Sequence, residues 1–196
     1  MLKHGPRLKV RPYAPEDWEP LHRWYTSGDY PEFFRDVGGV MNKEQVKQYG
    51  AAADRMTFII EYAGVRSIGL ILVFNWRLMA SIADIAILID KKEQGKGYFL
   101  ESLTITTDYL FNGMRLWKLV CNVLRTNARL RSMILKCGFK QEAVFKNEAF
   151  LNGEHVDVVR YFIERPKAAK QLKIAWEDLC QEKEKRLGSP PLSLAQ

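Results

Sequence analysis

The chain switches repeatedly between two hydrophobic rhythms. Alternation at period two marks strands, and recurrence every three to four residues marks helices. Leu8-Lys9-Val10-Arg11 alternates as a short first strand. Ala14-Pro15-Glu16-Asp17 opens a helix with Pro15 in its first turn. Trp18, Leu21, Trp24 and Tyr25 form that helix's apolar stripe. Ser27 to Gly39 reads as a loop rich in Tyr, Phe, Pro and Gly, and Asn42 caps a second helix running to about Ala53. Thr57 to Tyr62 and Ser67 to Phe74 read as two strands turning at Ala63-Gly64, followed by a strand from Ser81 to Ile89.

Beyond this point the period lengthens. Leu100, Leu103, Thr107, Leu110 and Phe111 mark one helical face, and Trp117 to Leu124 is the next strand. Asn127 to Cys137 predicts a short helix with Leu130, Ile134 and Cys137 inward, stopped by Gly138. Two last strands, about Glu142 to Leu151 and Val156 to Ile163, meet at Asn152-Gly153, a strong hairpin signal. Helices interleave with a largely antiparallel strand set, so the expected class is α/β: a mixed sheet covered by helices.

The composition shifts after Arg165. Pro166 to Leu187 is charged, with a narrow apolar stripe of Ala169, Leu172, Trp176 and Leu179. It predicts an appended amphipathic helix that packs on the domain or on a partner copy, the latter making a homodimer. The expected organisation is a domain over residues 1–165, a helix over 166–187 and a disordered tail over 188–196.

Hydrophobic residues make up 47% of the 196, enough for one sizeable core. The net charge of +7 favours anionic partners such as a phosphate-bearing cofactor. It also admits a nucleic-acid-associated role, but the Lys and Arg residues are spread along the chain and no nucleic-acid motif accompanies them. Three cysteines without CxxC spacing, and histidines without ligand spacing, point away from a disulfide framework and from a metal site. The N-terminal stretch lacks the apolar core of a signal peptide, and no apolar run approaches a membrane span. A cytoplasmic protein with no membrane partner is the expectation.

The chemistry concentrates in Ile82 to Ser102. A strand ends at Asp90, and Gln94-Gly95-Lys96-Gly97 leads straight into a helix. Such a turn leaves backbone N–H groups without partners at the positive end of a helix dipole. That arrangement suits a phosphate or pyrophosphate, and glycines let the backbone approach it closely.

This turn, followed by Asn127 and then Lys136-Cys137-Gly138-Phe139, resembles the GNAT superfamily of N-acetyltransferases. Their pyrophosphate loop reads roughly Arg/Gln-x-x-Gly-x-Gly/Ala, here Gln94-Gly95-Lys96-Gly97-Tyr98-Phe99. The final Phe150-Leu151-Asn152-Gly153 and Val156-Asp157-Val158 look like the last hairpin of the branch acting on ribosomal-protein N-termini and spermidine. The resemblance spans roughly residues 7–163. It implies a sheet split between the strands at 81–89 and 117–124, with acetyl-CoA in the split as co-substrate. The amides of Gln94 to Phe99 would cradle its pyrophosphate, with Asn127 nearby. Backbone groups of the first strand, at Ile85 and Ile87, would meet the thioester, and an amine of a small molecule or peptide would attack it directly.

The resemblance also assigns roles and exposes departures. Members of the branch often carry Glu six residues before the Asp that ends the first of those strands. Asp84 holds that place and is the expected base, against the alternative of an outward-facing or edge-paired Asp. The loop's last small residue is Phe99 here, and Leu130 stands where many members carry a cofactor-contacting Ser. Ser132 lies about 200° around the helix from Leu130 and cannot substitute. The general acid is therefore unassigned. The acceptor wall falls at Tyr30, Glu32 and Phe33, whose aromatics would suit a cationic amine, or else fold back into the core. A competing reading is a GNAT-fold binding module with little or no activity.

Overall fold

The computed structural model describes residues 5–30, 33, 41–168, 170–175 and 177. The elements run β1 (Leu8–Pro12), a 3-10 turn at Pro15–Asp17, α1 (Trp18–Thr26), α2 (Lys43–Gly50), β2 (Met56–Tyr62), β3 (Arg66–Arg77) and β4 (Ile82–Ile89). They continue with α3 (Tyr98–Asp108), β5 (Lys118–Leu124), α4 (Ala128–Lys136), β6 (Lys140–Leu151) and β7 (Glu154–Glu164). Helical backbone follows at 165–168, 170–175 and 177, here called α5.

Local chemistry sets the boundaries. Asn42 and Gln45 close a reciprocal capping box at α2: Asn42 Oδ1 accepts the Gln45 N–H at 3.0 Å and Gln45 Oε1 accepts the Asn42 N–H at 2.9 Å. The helix stops at Gly50 rather than near Ala53. Asn152 and Gly153 both have positive φ, 51° and 87°, as a tight hairpin turn of matching twist requires. The strands flanking them are longer than the alternation predicts, because β6 and β7 pair from Lys140 to Leu151 across register shifts.

The seven strands lie in the order β1-β2-β3-β4-β5-β7-β6. Neighbours among them are antiparallel except β4 and β5, which are parallel. Alternate side chains sort to two faces. Ile71, Val73, Ala83, Ile85, Leu119 and Val123 pack with α3 and α4 in the larger cluster. Ile59, Leu70, Leu72 and Leu88 pack with Leu21 and Trp24 of α1 and Val46 of α2 in the smaller.

α5 packs on its own domain. Ala168 and Leu172, each 2% exposed, belong to the larger core cluster, and Ala175 packs against it. Leu172 of the expected stripe is thus inward, joined by Ala168 and Ala175; Ala169, Trp176, Leu179 and 188–196 lie outside the described residues. Gly138 serves this contact and the end of α4 together. Its φ is +86°, and a Cβ there would sit 2.6 Å from the Cβ of Gln171.

Candidate active site

The parallel pair is short. Ile82, Ala83 and Asp84 face Lys118, Leu119 and Val120, and there the pairing ends. β4 continues to Ile89 along β3, while β5 continues to Leu124 along β7. The sheet opens into a split whose vertex is the Asp84–Val120 rung. A cavity of about 1210 Å³ occupies it. Ile85, Ile87, Cys121 and Val123 line it from the α3–α4 face, and Asp84, Ala86, Leu88 and Asn122 from the α1–α2 face. Strand alternation puts these sets on opposite sides, so the cavity passes through the sheet.

The glycine turn stands at the cavity's open end. Gly95 and Gly97 have φ of 79° and 83°, and Gly97 is the N-cap of α3. A side chain at Gly97 would cost about 1 kcal/mol or more in this left-handed conformation. Gln94, Gly95, Gly97, Tyr98 and Phe99 line the cavity. Lys96 does not; its ammonium sits 2.8 Å from the buried Glu93 carboxylate, and its carbonyl accepts Arg7 Nη1 at 3.0 Å. The Lys96 hydrogen bond, reinforced by Arg66, holds the Glu93 carboxyl below the usual range against the opposing effect of burial. Arg7 in turn is clamped by Glu101, which is fully buried and accepts the N–H groups of Arg7 and Leu8 and the Arg7 Nε–H at 2.8–2.9 Å. The turn is anchored from behind, and its front faces the cavity.

Across the opening, Asn127 Oδ1 accepts the Leu130 N–H at 3.0 Å and caps α4, with Asn127 itself on the lining. Arg129 and Lys136 add positive charge to the rim. A turn with two left-handed glycines, a helix N-terminus of three turns and two flanking cations fits a pyrophosphate. Leu130 lines the cavity, whereas Ser132 is exposed and off it. The thiols of Cys121 and Cys137 also line it, and burial pushes Cys137 up to about 12, so that it stays protonated. Among the described residues no cluster of three or more His, Cys, Asp or Glu is placed to hold a metal ion.

Asp84 sits at the vertex, 2% exposed. Its Oδ1 accepts Arg77 Nη2 at 2.6 Å, and its Oδ2 receives Asn75 Nδ2 at 3.3 Å and Asn122 Nδ2 at 3.4 Å. It is buried and paired, not outward-facing. The pairing depends on a β-bulge in β3, where Phe74 faces Asp84 but Arg77, not Trp76, faces Ile82. Asn75 takes the positive φ of 49° that this insertion needs. The alternation ends this strand at Phe74, whereas β3 runs on through the bulge to Arg77, so Asn75, Arg77 and Asn122 are site residues that the sequence pattern does not mark.

On the acceptor side, Tyr30 and Phe33 line the cavity, and Glu32 lies outside the described residues. The Tyr30 hydroxyl accepts the Lys91 backbone N–H at 2.6 Å, and Asp29 pairs with the Lys91 ammonium at 2.7 Å. Tyr30 therefore fastens the loop after α1 to the end of β4. Asp90 ties α1 itself to the same strand end, accepting Trp24 Nε1–H at 3.0 Å. Burial pushes the Asp90 carboxyl up, but the Trp24 and Lys92 hydrogen bonds and the neighbouring cations outweigh it and hold it below the usual range.

Residues 7–140 match the acetyltransferase (GNAT) domain model. The spermidine N(1)-acetyltransferase of Vibrio cholerae is 30% identical over 106 residues, 54% of this chain and 61% of that protein. Its Escherichia coli K12 counterpart is 26% identical over 165 residues, covering 80% and 85% of the two chains. The solved Vibrio cholerae spermidine N-acetyltransferase in complex with CoA and spermine matches with a TM-score of 0.76 at 22% identity, over 82% of this chain and 97% of that one. The likeness at that identity is one of fold, and it agrees with the split sheet. With the family domain spanning more than half of its length, the chain belongs to the GNAT family of N-acetyltransferases.

Proposed function

We propose that the protein moves an acetyl group from acetyl-CoA to a primary amine by direct attack of the amine on the thioester. One observation carries this reading: the cavity crosses the sheet at the split, with a phosphate-binding turn at its open end and a carboxylate at its vertex. A thioester donor laid along β4 and an amine approaching from the α1–α2 face would meet there. The names of the relatives, spermidine acetyltransferases, support a small amine as acceptor.

Each residue's work follows from its place. Amides of the turn that face the cavity, at Gly95 and from Gly97 to Phe99, hold the pyrophosphate, and Arg129 and Lys136 supply counter-charge at the rim. Beyond the last β4–β5 rung, the backbone at Ile85 and Ile87 has no strand partner on the β5 side, so its polar groups can serve the substrate. Acetyl-CoA supplies an activated acyl carbon and a fair leaving group. Asp84 takes the amine's proton, directly or through a water. Its Oδ1 is committed to Arg77, while Oδ2 has only two long amide contacts and remains open to a proton.

The test is Asp84→Asn. Turnover should fall by about 10²–10⁴-fold, the usual range for loss of a general base, while acetyl-CoA should raise the melting temperature of the variant as much as that of the parent protein. Near-normal turnover at saturating amine would make Asp84 a structural residue. No thermal shift at millimolar acetyl-CoA would sink the donor assignment.

A further inference from the structure

We infer that Asn122 and Arg160 are a positioning pair that aims Asp84 into the split. The inference rests on the reading of Asp84 as proton acceptor and assigns how that carboxylate is held.

Arg160 on β7 faces Asn122 on β5 across the antiparallel ladder. Its Nε donates to Asn122 Oδ1 at 3.1 Å. A guanidinium has donors and no acceptor, so it fixes which end of the amide faces it. Oδ1 must point to Arg160, and Nδ2 is thereby turned to Asp84 Oδ2, 3.4 Å away. The guanidinium is seated in its turn, with its central carbon 4.7 Å from the centroid of the Phe145 ring on β6. A chain of fixed orientations thus runs from β6 through β7 and β5 to the carboxylate on β4.

The place of this chain gives it consequence. Asp84 lies on the last rung joining β4 to β5, and Asn122 is two residues past that rung, where β5 has begun to diverge. Asn122 spans the beginning of the split. Asn75 approaches the same oxygen from β3 at 3.3 Å. Two amides flank Oδ2 at lengths too long to occupy it, while Arg77 holds Oδ1. The oxygen is steered without being consumed. If Arg160 is lost, the Asn122 amide can flip and present its own oxygen to Asp84, replacing a donor by a repelling acceptor.

The experiment is a set of mutant cycles on the full-length protein, reading kcat and the acetyl-CoA dissociation constant. Asn122→Leu and Arg160→Met should each lower kcat by about ten- to a hundredfold, the scale of a misplaced catalytic group, with acetyl-CoA affinity within twofold. Arg160→Lys, which keeps a donor, should recover most of the loss. Added to Asp84→Asn, Asn122→Leu should cost nothing further, because its effect passes through the carboxylate. A kcat within twofold of the parent for both Asn122→Leu and Arg160→Met overturns the pair, as does an undiminished loss in the Asp84→Asn background. If Asp84→Asn is inactive while those two variants are active, only the positioning pair falls. If Asp84→Asn is itself active, the proton-acceptor reading falls and takes the pair with it. Should Asn122→Leu fail to fold, the half-buried Arg160→Met and its lysine rescue decide the question alone.

Discussion

Shortening Leu172 to alanine should lower the melting temperature sharply, although the residue stands outside the family's matched span. Its side chain is 2% exposed and belongs to the same cluster as Leu103, Ile134 and Phe139. Removing its buried methyl groups loses their transfer energy and leaves a void, together about 2–5 kcal/mol. A helix near the end of the described chain can settle inward more easily than a central strand, which favours the lower half, about 2–3 kcal/mol. For a chain of this size each kcal/mol moves the midpoint by about 2–4 °C, so the expected drop is roughly 4–12 °C. Ile174, two residues on and 47% exposed, is the internal control. Its alanine variant should stay within about 0.5 kcal/mol, or roughly 2 °C. Thermal melts followed by far-UV circular dichroism distinguish the two. A chain ending at Glu164 should lose more than Leu172→Ala, since Ala168 goes as well. Because Ala175 lines the cavity, that truncation should also weaken the stabilisation by acetyl-CoA. If Leu172→Ala and Ile174→Ala melt together, α5 is an ornament and the domain ends at residue 165 after all.

Two further outcomes follow from the phosphate turn and the loop anchors. Gly97→Asp places a carboxylate where phosphates are proposed to bind; a like-charge contact near 4 Å costs about 1–4 kcal/mol between the aqueous and surface limits, so titration calorimetry should show acetyl-CoA binding weakened by about five- to a thousandfold, and unchanged binding would remove the turn from the site. Asp90 titrates below its ordinary value in the folded protein, so its contribution to stability is complete above its unfolded pKa near 4 and is lost as pH falls through the lower folded one; urea unfolding should therefore show Asp90→Asn losing less stability than the parent between about pH 5 and 2, and parallel curves would refute the anchoring role.

The fold was legible where local pattern and tertiary burial agree. Strands β2, β3 and β4 bury alternate residues on both faces, and their β-branched runs left little competition from helix. The Asn152-Gly153 turn and the Gly138 stop demanded conformations that few residues adopt, so they announced themselves. α5 was legible as a helix with Leu172 inward, but the burial of Ala168 and Ala175 beside it was not. Those contacts are tertiary: Gly138, in the left-handed conformation, lets Gln171 approach the end of α4, and no period along the helix announces it. Arg7 and Glu101 were opaque for a similar reason. Residues 94 apart in the chain give no periodic sign that one clamps the other behind the phosphate turn.

The same contrast decides how the site could be read. Asp84 stood out because a carboxylate in an apolar strand needs compensation when buried. Its partner could not be found by counting along β3. Parity places Arg77 with Ile71 and Val73, which face α3, and so on the wrong side of the sheet for Asp84. One inserted residue at Asn75 reverses that parity. Trp76 then packs with the α3 cluster, and Arg77 comes level with Ile82 on the face Asp84 occupies. A strand of regular pleat would leave the buried carboxylate without its cation, a loss smaller than that of a fully buried pair because the Arg77 side chain is 41% exposed. The bulge is thus what brings a cation to the buried Asp84 at the vertex, and the site exists because β3 departs from regular pleat at Asn75.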